Sequence, residues 1–336
     1  MDDKLNVTYI TLDGHVEVGK YRYLYFLVML TVYILIICCS FTIVGLIWRH
    51  NNLHEPMYIF IAALLLNSVV FSTAMYPKLL IDFLSEKQMI SYSACLFQFF
   101  LYYSLSGSEF LLLAAMSYDR YVSICKPLQY PTIMTKTTVS IFLALAWLVP
   151  ACQTAVPVVL SAHMKLCNLS LKGIFCNNSI YSLHCVTSKA ISIFGVIALL
   201  NIGLFPLLFI LFTYTRIFVI CYRSCRNVRK KAAQTCLPHL LVLISFSCLC
   251  AYDIIIVRLG SDFPKIVRLI MTLQAVLYHP LFNPIIYGLK MKEISKHLKR
   301  LFCQTNAILC IKSDIRVIVT LVMLIYRHLF CNKSEM

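Results

Sequence analysis

The chain is 336 residues long, 60% of them hydrophobic and only 13% charged, with a formal net charge of +16. A soluble domain is nearer half apolar and a quarter charged, so this composition excludes one and points to a membrane protein. It also argues against a nucleic-acid-binding module, because no basic patch is interleaved with exposed aromatics. The surplus of Lys and Arg reads instead as loops facing anionic lipid.

The first twenty-three residues hold Asp2, Asp3, Asp13 and Glu17 and no apolar core. They do not fit a cleavable signal peptide, so the first apolar run is expected to insert and stay. Residues 1–23 read as an amino-terminal tail. A membrane-crossing helix needs about 20 mainly apolar residues. Seven windows qualify: Leu24–Trp48, Met57–Ile81, Ala94–Ser117, Val139–Ser161, Ile191–Ile220, Leu237–Leu259 and Ile266–Leu289. They predict an all-α membrane protein, a seven-transmembrane helix bundle over residues 24–289. Pro77, Pro150, Pro157, Pro206, Pro280 and Pro284 fall inside or near helix ends and are expected as kinks. No repeat with a period of about 20–50 residues and no inverted pair of halves is visible, which weighs against a transporter.

Seven spans put the two ends of the chain on opposite sides. The stretch Cys221–Lys231 holds Arg223, Arg226, Arg229, Lys230 and Lys231 and no acid, and Lys290–Arg300 carries five bases against Glu293. Positive charge marks the cytoplasmic side, so the amino terminus is expected outside and the carboxyl terminus inside. The loop Ala162–Lys189, with three lysines and no acid, departs from the rule, as long loops do. Three Asn-x-Ser/Thr glycosylation acceptors, Asn6, Asn168 and Asn177, all fall on the side assigned outside.

Sixteen cysteines are present, and most lie in the spans or on the reducing side, as apolar fillers or thiols. Cys95, Cys167, Cys176 and Cys185 lie outside, and four cysteines allow about three pairings. A bridge from Cys95 to the long loop would draw that loop over the mouth of the bundle. A zinc site at His184 and Cys185 is disfavoured, because adjacent residues rarely face one ion. His54-Glu55 begins like the H-E-x-x-H zinc motif, but Tyr58 stands where the second histidine would be.

"MSYDRYVSICKPLQY" (116–130) resembles the end of the third helix in rhodopsin-like G-protein-coupled receptors, in the form used by odorant receptors. Other stretches agree in order: "LHEPMYIF" (53–60), "SEFLLLAAMSYDRY" (108–121), "KAAQTCLPHLL" (231–241) and "PLFNPIIYGLK" (280–290). The resemblance covers residues 20–302. "LLLNSVVFSTAMYPKLL" (64–80) resembles the fish-like variant, with Asn67-Ser68 where the mammalian family keeps an acid and no acid expected inside helix two. Ser40 departs from the pattern, standing where an asparagine of helix one is expected. No lysine stands midway along the seventh window for a retinal Schiff base, and Tyr102, eighteen residues before Arg120, replaces the aspartate of amine receptors.

The resemblance implies an odorant receptor that binds a small organic molecule, activates an olfactory-type stimulatory G protein and raises cyclic AMP. It implies no enzyme activity and no cofactor, and it places the protein in the plasma membrane, in cilia of olfactory neurons, with arrestin and a receptor kinase as further partners. It also implies the pairings Cys95–Cys176 and Cys167–Cys185. Asp119 would hold Arg120 at rest, beside Tyr121. On opening of helix six, Arg120 would meet the G protein while Tyr214 and Tyr287 fill the gap. Lys231, Asn283 and Pro284 belong to the same switch. Glu109, eleven residues before Arg120 and so about three turns deeper, is costly in a membrane; it is expected either to be protonated and hydrogen-bonded or to bind a cation with polar neighbours such as Asn283 and Ser68.

Counting from the motifs, a ligand cavity would face Tyr102, Tyr103, Ser106, Gly107, Ala198 and Ile202, and then Cys250, Ala251, Ile254, Leu273 and Val276. This mostly apolar lining with a few hydroxyls suits a weakly polar molecule. Asp253 and Arg258 are expected to pair with each other or, as the less favoured alternative, to recognise a polar odorant. Residues 290–302 read as an amphipathic helix on the inner membrane face, with Ile294, Leu298 and Leu301 on one side. Residues 303–336 form an atypical tail whose apolar run Val317–Tyr326 is too short for an easy span; it reads as an interfacial helix or, the favoured reading, as sequence beyond the family's usual stop. The rival readings are a transporter or channel, which would line a midplane path with charge, and a non-signalling receptor relic, raised by Ser40 and the tail.

Overall fold

In hydrocarbon every backbone N–H and C=O must be paired within its own segment, so the apolar windows fold as helices. The computed structural model describes residues 8–14, 18–186, 188–222, 236–237, 240–244, 247–248 and 265–304. The long helices are α1 (Val18–Arg49), α2 (Pro56–Leu84), α3 (Tyr92–Cys125), α4 (Lys136–Ala162) and α5 (Lys189–Tyr222). Among the described residues, these five are long and apolar enough to cross a membrane. The expected sixth span lies largely outside the described residues; those described there, 236–237, 240–244 and 247–248, are helical and are labelled α6. Then come α7 (Lys265–Lys290), 26 residues long, and α8 (Lys292–Gln304). At 1.5 Å per residue α7 is roughly 39 Å long, enough to span. The chain is thus a seven-helix membrane bundle followed by a short eighth helix.

Several helices outrun their hydropathy windows. α1 starts at Val18, α2 continues past Ile81 to Leu84, and α3 continues past Ser117 to Cys125. Hydropathy marks the lipid-facing length, whereas the hydrogen-bond ladder runs on until its end groups find other partners. Side chains supply those partners at three amino-terminal ends: Ser91 Oγ accepts from Ala94 N, Thr135 Oγ1 from Thr138 N and Ser188 Oγ from Ile191 N. One consequence corrects the sequence reading of helix two. Asp82 lies inside α2, 1% exposed, in an ion pair with Lys78 one turn earlier.

Within α5, residues Leu199–Leu204 form a π-helical turn. Pro206 follows after Phe205; it has no N–H to donate to the carbonyl four residues back, and its ring crowds that turn, so the helix widens there.

The expected tail over residues 1–23 is structured where it is described. Residues Tyr9–Leu12 form β1, at the centre of a small sheet of order β2-β1-β3 with β2 (Met89–Ser91) and β3 (Ser170–Leu171). β1 runs antiparallel to β2, pairing Ile10 with Ile90, and parallel to β3, pairing Leu12 with Leu171. Period-two alternation points Ile10 and Leu12 inward, both essentially buried. Gly14 then passes Gly173 so closely that a Cβ would stand 2.4 Å from the Gly173 carbonyl carbon. Only glycine fits there.

The core forms three apolar clusters. One holds Phe60, Leu64, Leu112, Met116 and Tyr287 and takes in the buried thiols Cys221 and Cys236. The next holds Ile36, Phe71, Tyr76, Tyr102 and Val276. The third is the sheet end, with Ile10, Leu12, Ile90, Leu171 and Ile180 around Cys95 and Cys176.

Candidate functional site

Inside the bundle lies a buried polar group. Ser68 and Ser72 of α2, Glu109 of α3, Asn283 of α7 and Ser40 of α1 are all 0% exposed. Asn283 Nδ2 donates to Glu109 Oε1 at 2.9 Å and to Ser68 Oγ at 2.8 Å. Ser68 Oγ in turn reaches the Leu64 carbonyl at 3.1 Å, and Ser72 Oγ the Ser68 carbonyl at 2.8 Å. A single amide thus joins α2, α3 and α7. Ser40 Oγ and Asn283 Oδ1 have no hydrogen-bond partner among the described residues. Ser40 stands where the family's asparagine is expected. Next to Ser68, Asn67 Nδ2 donates to the Leu105 carbonyl at 3.0 Å and Trp147 Nε1 donates to Asn67 Oδ1 at 3.3 Å, tying α2, α3 and α4. The sequence reading missed Asn67 and Trp147 as a pair; a lone tryptophan in an apolar run carries no periodic signal for its partner.

About three turns further along α3 stand Asp119 and Arg120. Asp119 is fully buried and pairs with Arg120, whose Nε lies 2.9 Å from Asp119 Oδ2. Tyr130, on the short helix Tyr130–Ile133, donates its hydroxyl to Asp119 Oδ1 at 2.8 Å. Burial first, and the Asp119 carboxylate next, push the Tyr130 hydroxyl well above its ordinary range, so it stays protonated and able to donate. Tyr130 ends the motif stretch but was not singled out from sequence, because only the turn after Cys125 brings it back to α3. Tyr121 is half-buried at this end. Tyr214 and Tyr287 are buried at 8% and 0%, and the Tyr214 hydroxyl has no partner among the described residues. Pro284 is buried in α7, and Lys231 lies outside the described residues.

At the sheet end, Cys95 is bridged to Cys176 and Cys167 to Cys185. Cys176 N also donates to Gln98 Oε1 at 3.1 Å, and Asn178 N to Tyr103 Oη at 3.0 Å. Tyr92 donates to the Ser161 carbonyl at 2.8 Å, so its oxygen accepts from His184 Nε2 at 3.0 Å. Burial lowers the His184 pKa, which keeps the ring neutral. The loop is therefore strapped across the bundle by covalent and polar links.

The expected cavity lining is brought together only in part. Tyr102 and Tyr103 meet edge to face at 4.9 Å, and Tyr102 lies 4.9 Å from Phe175 of the loop. Val276 is 0% exposed and its carbonyl accepts from Tyr76 Oη at 3.3 Å, so it packs against α2. Gly107 is a packing position: a Cβ there would lie 2.7 Å from Ile202 Cγ2 and 2.8 Å from Pro150 Cβ. Leu273 is buried, while Ser106 and Ala198 are half-buried. Cys250, Ala251 and Ile254, with Asp253 and Arg258, lie outside the described residues.

Among the acceptor asparagines, Asn168 is exposed, whereas Asn177 is 8% exposed and its Oδ1 accepts from Ser179 N at 3.1 Å. That burial corrects the expectation at Asn177, since a glycan needs its amide in solvent. Asn6 lies outside the described residues. In α8, Ile294 is buried and Leu298 packs on the inner core, but Leu301 is 39% exposed. His297 stacks on His50 at 3.9 Å and its Nε2 lies 3.4 Å from Asn52 Nδ2, so α8 docks on the turn after α1.

The olfactory receptor family profile matches residues 29–305. Olfactory receptor 11A1 of Homo sapiens is 31% identical over 300 residues, covering 88% of this chain and 94% of its own. Olfactory receptor 11H1 is 33% identical over 283 residues, covering 83% and 86%, and olfactory receptor 6K3 is 32% identical over 300 residues, covering 88% and 90%, both also from Homo sapiens. With the Asp119–Arg120 pair closing one end of a seven-helix membrane bundle and the disulfide-strapped loop covering the other, the chain belongs to the olfactory receptor family.

Proposed function

We propose that this multi-pass membrane protein is an odorant receptor in which Arg120 is the output switch. The observation that carries the reading is the Asp119–Arg120–Tyr130 cluster: a buried carboxylate holds a 12%-exposed guanidinium at the end of α3. Such a pair is stable while packed and releases a cation when the surrounding helices part. A small organic ligand bound nearer the disulfide end would favour the parted state by its differential affinity for it. Arg120 would then engage an olfactory-type stimulatory G protein, with Tyr214 and Tyr287 rotating into the space and Lys231 of the sixth span at its edge. The receptor itself makes no covalent bond.

The finer assignments follow from charge and pattern. The disulfide end is extracellular and the Asp119 end cytoplasmic, in keeping with the basic residues that flank α5 and α8. That basic surface would meet anionic lipid, and arrestin and a receptor kinase would use the same face. Asn67-Ser68 in place of an acid favours the fish-like variant. Ciliary membrane is the expected destination, and residues 303–336 are dispensable.

The test is cyclic AMP in cells co-expressing an olfactory stimulatory α subunit, across a panel of small organics, with Arg120→Ala alongside at matched surface level. A ligand response lost in Arg120→Ala is expected; a response that survives it overturns the switch. Truncation after Gln304 should leave both surface level and response unchanged. A second reading, a receptor relic, is favoured by Ser40, buried with its hydroxyl unpartnered among the described residues. Silence throughout the panel that is relieved by Ser40→Asn would support it.

A further inference from the structure

A cleft of about 660 Å³ opens on the lipid-facing side of the bundle, between α2 and α3, under β1 and β2. That size is ordinary for a small-molecule site. It is separate from the Glu109–Asn283 layer and from the positions counted for an odorant. Its walls are Val70 and Ala74 of α2 with Phe97 and Leu101 of α3, and Val70 and Phe97 are 49% and 62% exposed. Its polar lining residues are Lys78, Tyr9, Ser91, Thr73 and Gln98. From Lys78 to Val70 the helix rises roughly 12 Å.

Lys78 is the only charged side chain among the described residues that line the cleft. An ammonium carries three N–H donors. Asp82 takes one of them from the buried side, and the Lys78 side chain is still 24% exposed. The cleft therefore pairs a single cationic head site with an apolar trough about as long as a medium acyl chain. We propose that it binds a fatty carboxylate from the membrane leaflet, with the carboxylate on Lys78 Nζ and the chain between Val70, Ala74, Phe97 and Leu101.

The probe is decanoic acid carrying a photoreactive diazirine near the chain end, added to the full-length receptor in neutral phosphatidylcholine nanodiscs, with adducts mapped by mass spectrometry. Adducts are expected on the peptides holding Val70–Ala74 and Phe97–Leu101. Free decanoic acid should compete about tenfold better than decanol, the advantage of one charge-assisted contact. Ala94→Trp fills the cleft without touching the ion pair and should abolish the labelling. Lys78→Met alone would strand Asp82, so Lys78→Met/Asp82→Leu is the second variant; it should erase the preference for acid over alcohol. Adducts spread evenly over all lipid-facing helices, or decanol competing as well as the acid in the unaltered protein, would overturn the proposal. Neither readout needs an odorant or a G protein.

Discussion

At one end of the bundle, two disulfides, a three-stranded sheet and the Tyr92–His184–Ser161 contacts hold the long loop and the amino-terminal strand onto α3 and α4. At the other end, Asp119, Arg120 and Tyr130 are joined by an ion pair and hydrogen bonds, with no disulfide there among the described residues. Covalent closure lasts for the life of the protein in an oxidising compartment, whereas polar closure is worth a few kcal/mol and reverses on a signalling timescale. A receptor needs that asymmetry: a fixed ligand-side roof to act against, and an opposite end that a modest binding energy can open. The buried Glu109–Asn283–Ser68 layer stands between the two ends and joins α2, α3 and α7.

The largest effect should come from the covalent end. The Cys95–Cys176 bridge closes a sequence separation of 81 residues. Its removal by Cys95→Ser should cost about 4 kcal/mol and sharply reduce the receptor reaching the cell surface, measured by antibody labelling of unpermeabilised cells. A normal surface level would show that the sheet and packing suffice without the bridge.

Next comes the middle layer. Asn283→Leu keeps the bulk and removes the amide that serves both Glu109 and Ser68. Leaving a buried carboxyl short of its donor costs about 1–3 kcal/mol, so the melting temperature of the solubilised receptor should fall by several degrees. Ser40→Asn, by contrast, should raise it.

The reversible end should answer in activity before stability. Tyr130→Phe removes one donor from the Asp119 carboxylate, a contact worth about 1.5–3 kcal/mol to a charged group. To the extent that the contact exists only at rest, the resting-to-parted equilibrium should shift by about tenfold or more, and ligand-free cyclic AMP should rise at equal surface level. An unchanged baseline would assign Tyr130 to the fold alone.

The smallest effect is expected where α8 meets the turn after α1. Burial, with His50 and Arg300 and Lys296 nearby, lowers the His297 pKa from its ordinary 6.5, and Glu293 opposes this only in part. The folded state thus favours the neutral ring. Docking of α8 is at full strength above pH 6.5 and weakens as pH falls below it toward the lowered value. Protonation would also remove the Nε2 lone pair that faces Asn52 Nδ2. Protection of the α8 amides, taken relative to their intrinsic exchange rate at each pH, should fall as pH drops below 6.5, and His297→Gln should flatten that dependence.

Much of this protein was legible in its residues because lipid imposes a simple rule on sequence. Long apolar runs must be helices, so the spans, the basic flanks and the strapped loop could be read directly. The resemblance around Asp119 and Cys95 implied partners for both, and the cost of an acid at Glu109 pointed to Asn283 and Ser68 as polar neighbours. The tertiary structure alone decided which groups from distant stretches share a site. β1 is too short and too polar at its edges to declare itself, and it exists because β2 and β3 supply its hydrogen bonds. Asp82 is acceptable inside α2 because Lys78 reaches it, Gly107 is needed because α4 and α5 cross there, and Tyr130 meets Asp119 because the chain turns back after Cys125. Hydropathy is a property of a segment, but a hydrogen bond or a close approach is a property of two, and only the folded bundle brings the second one near.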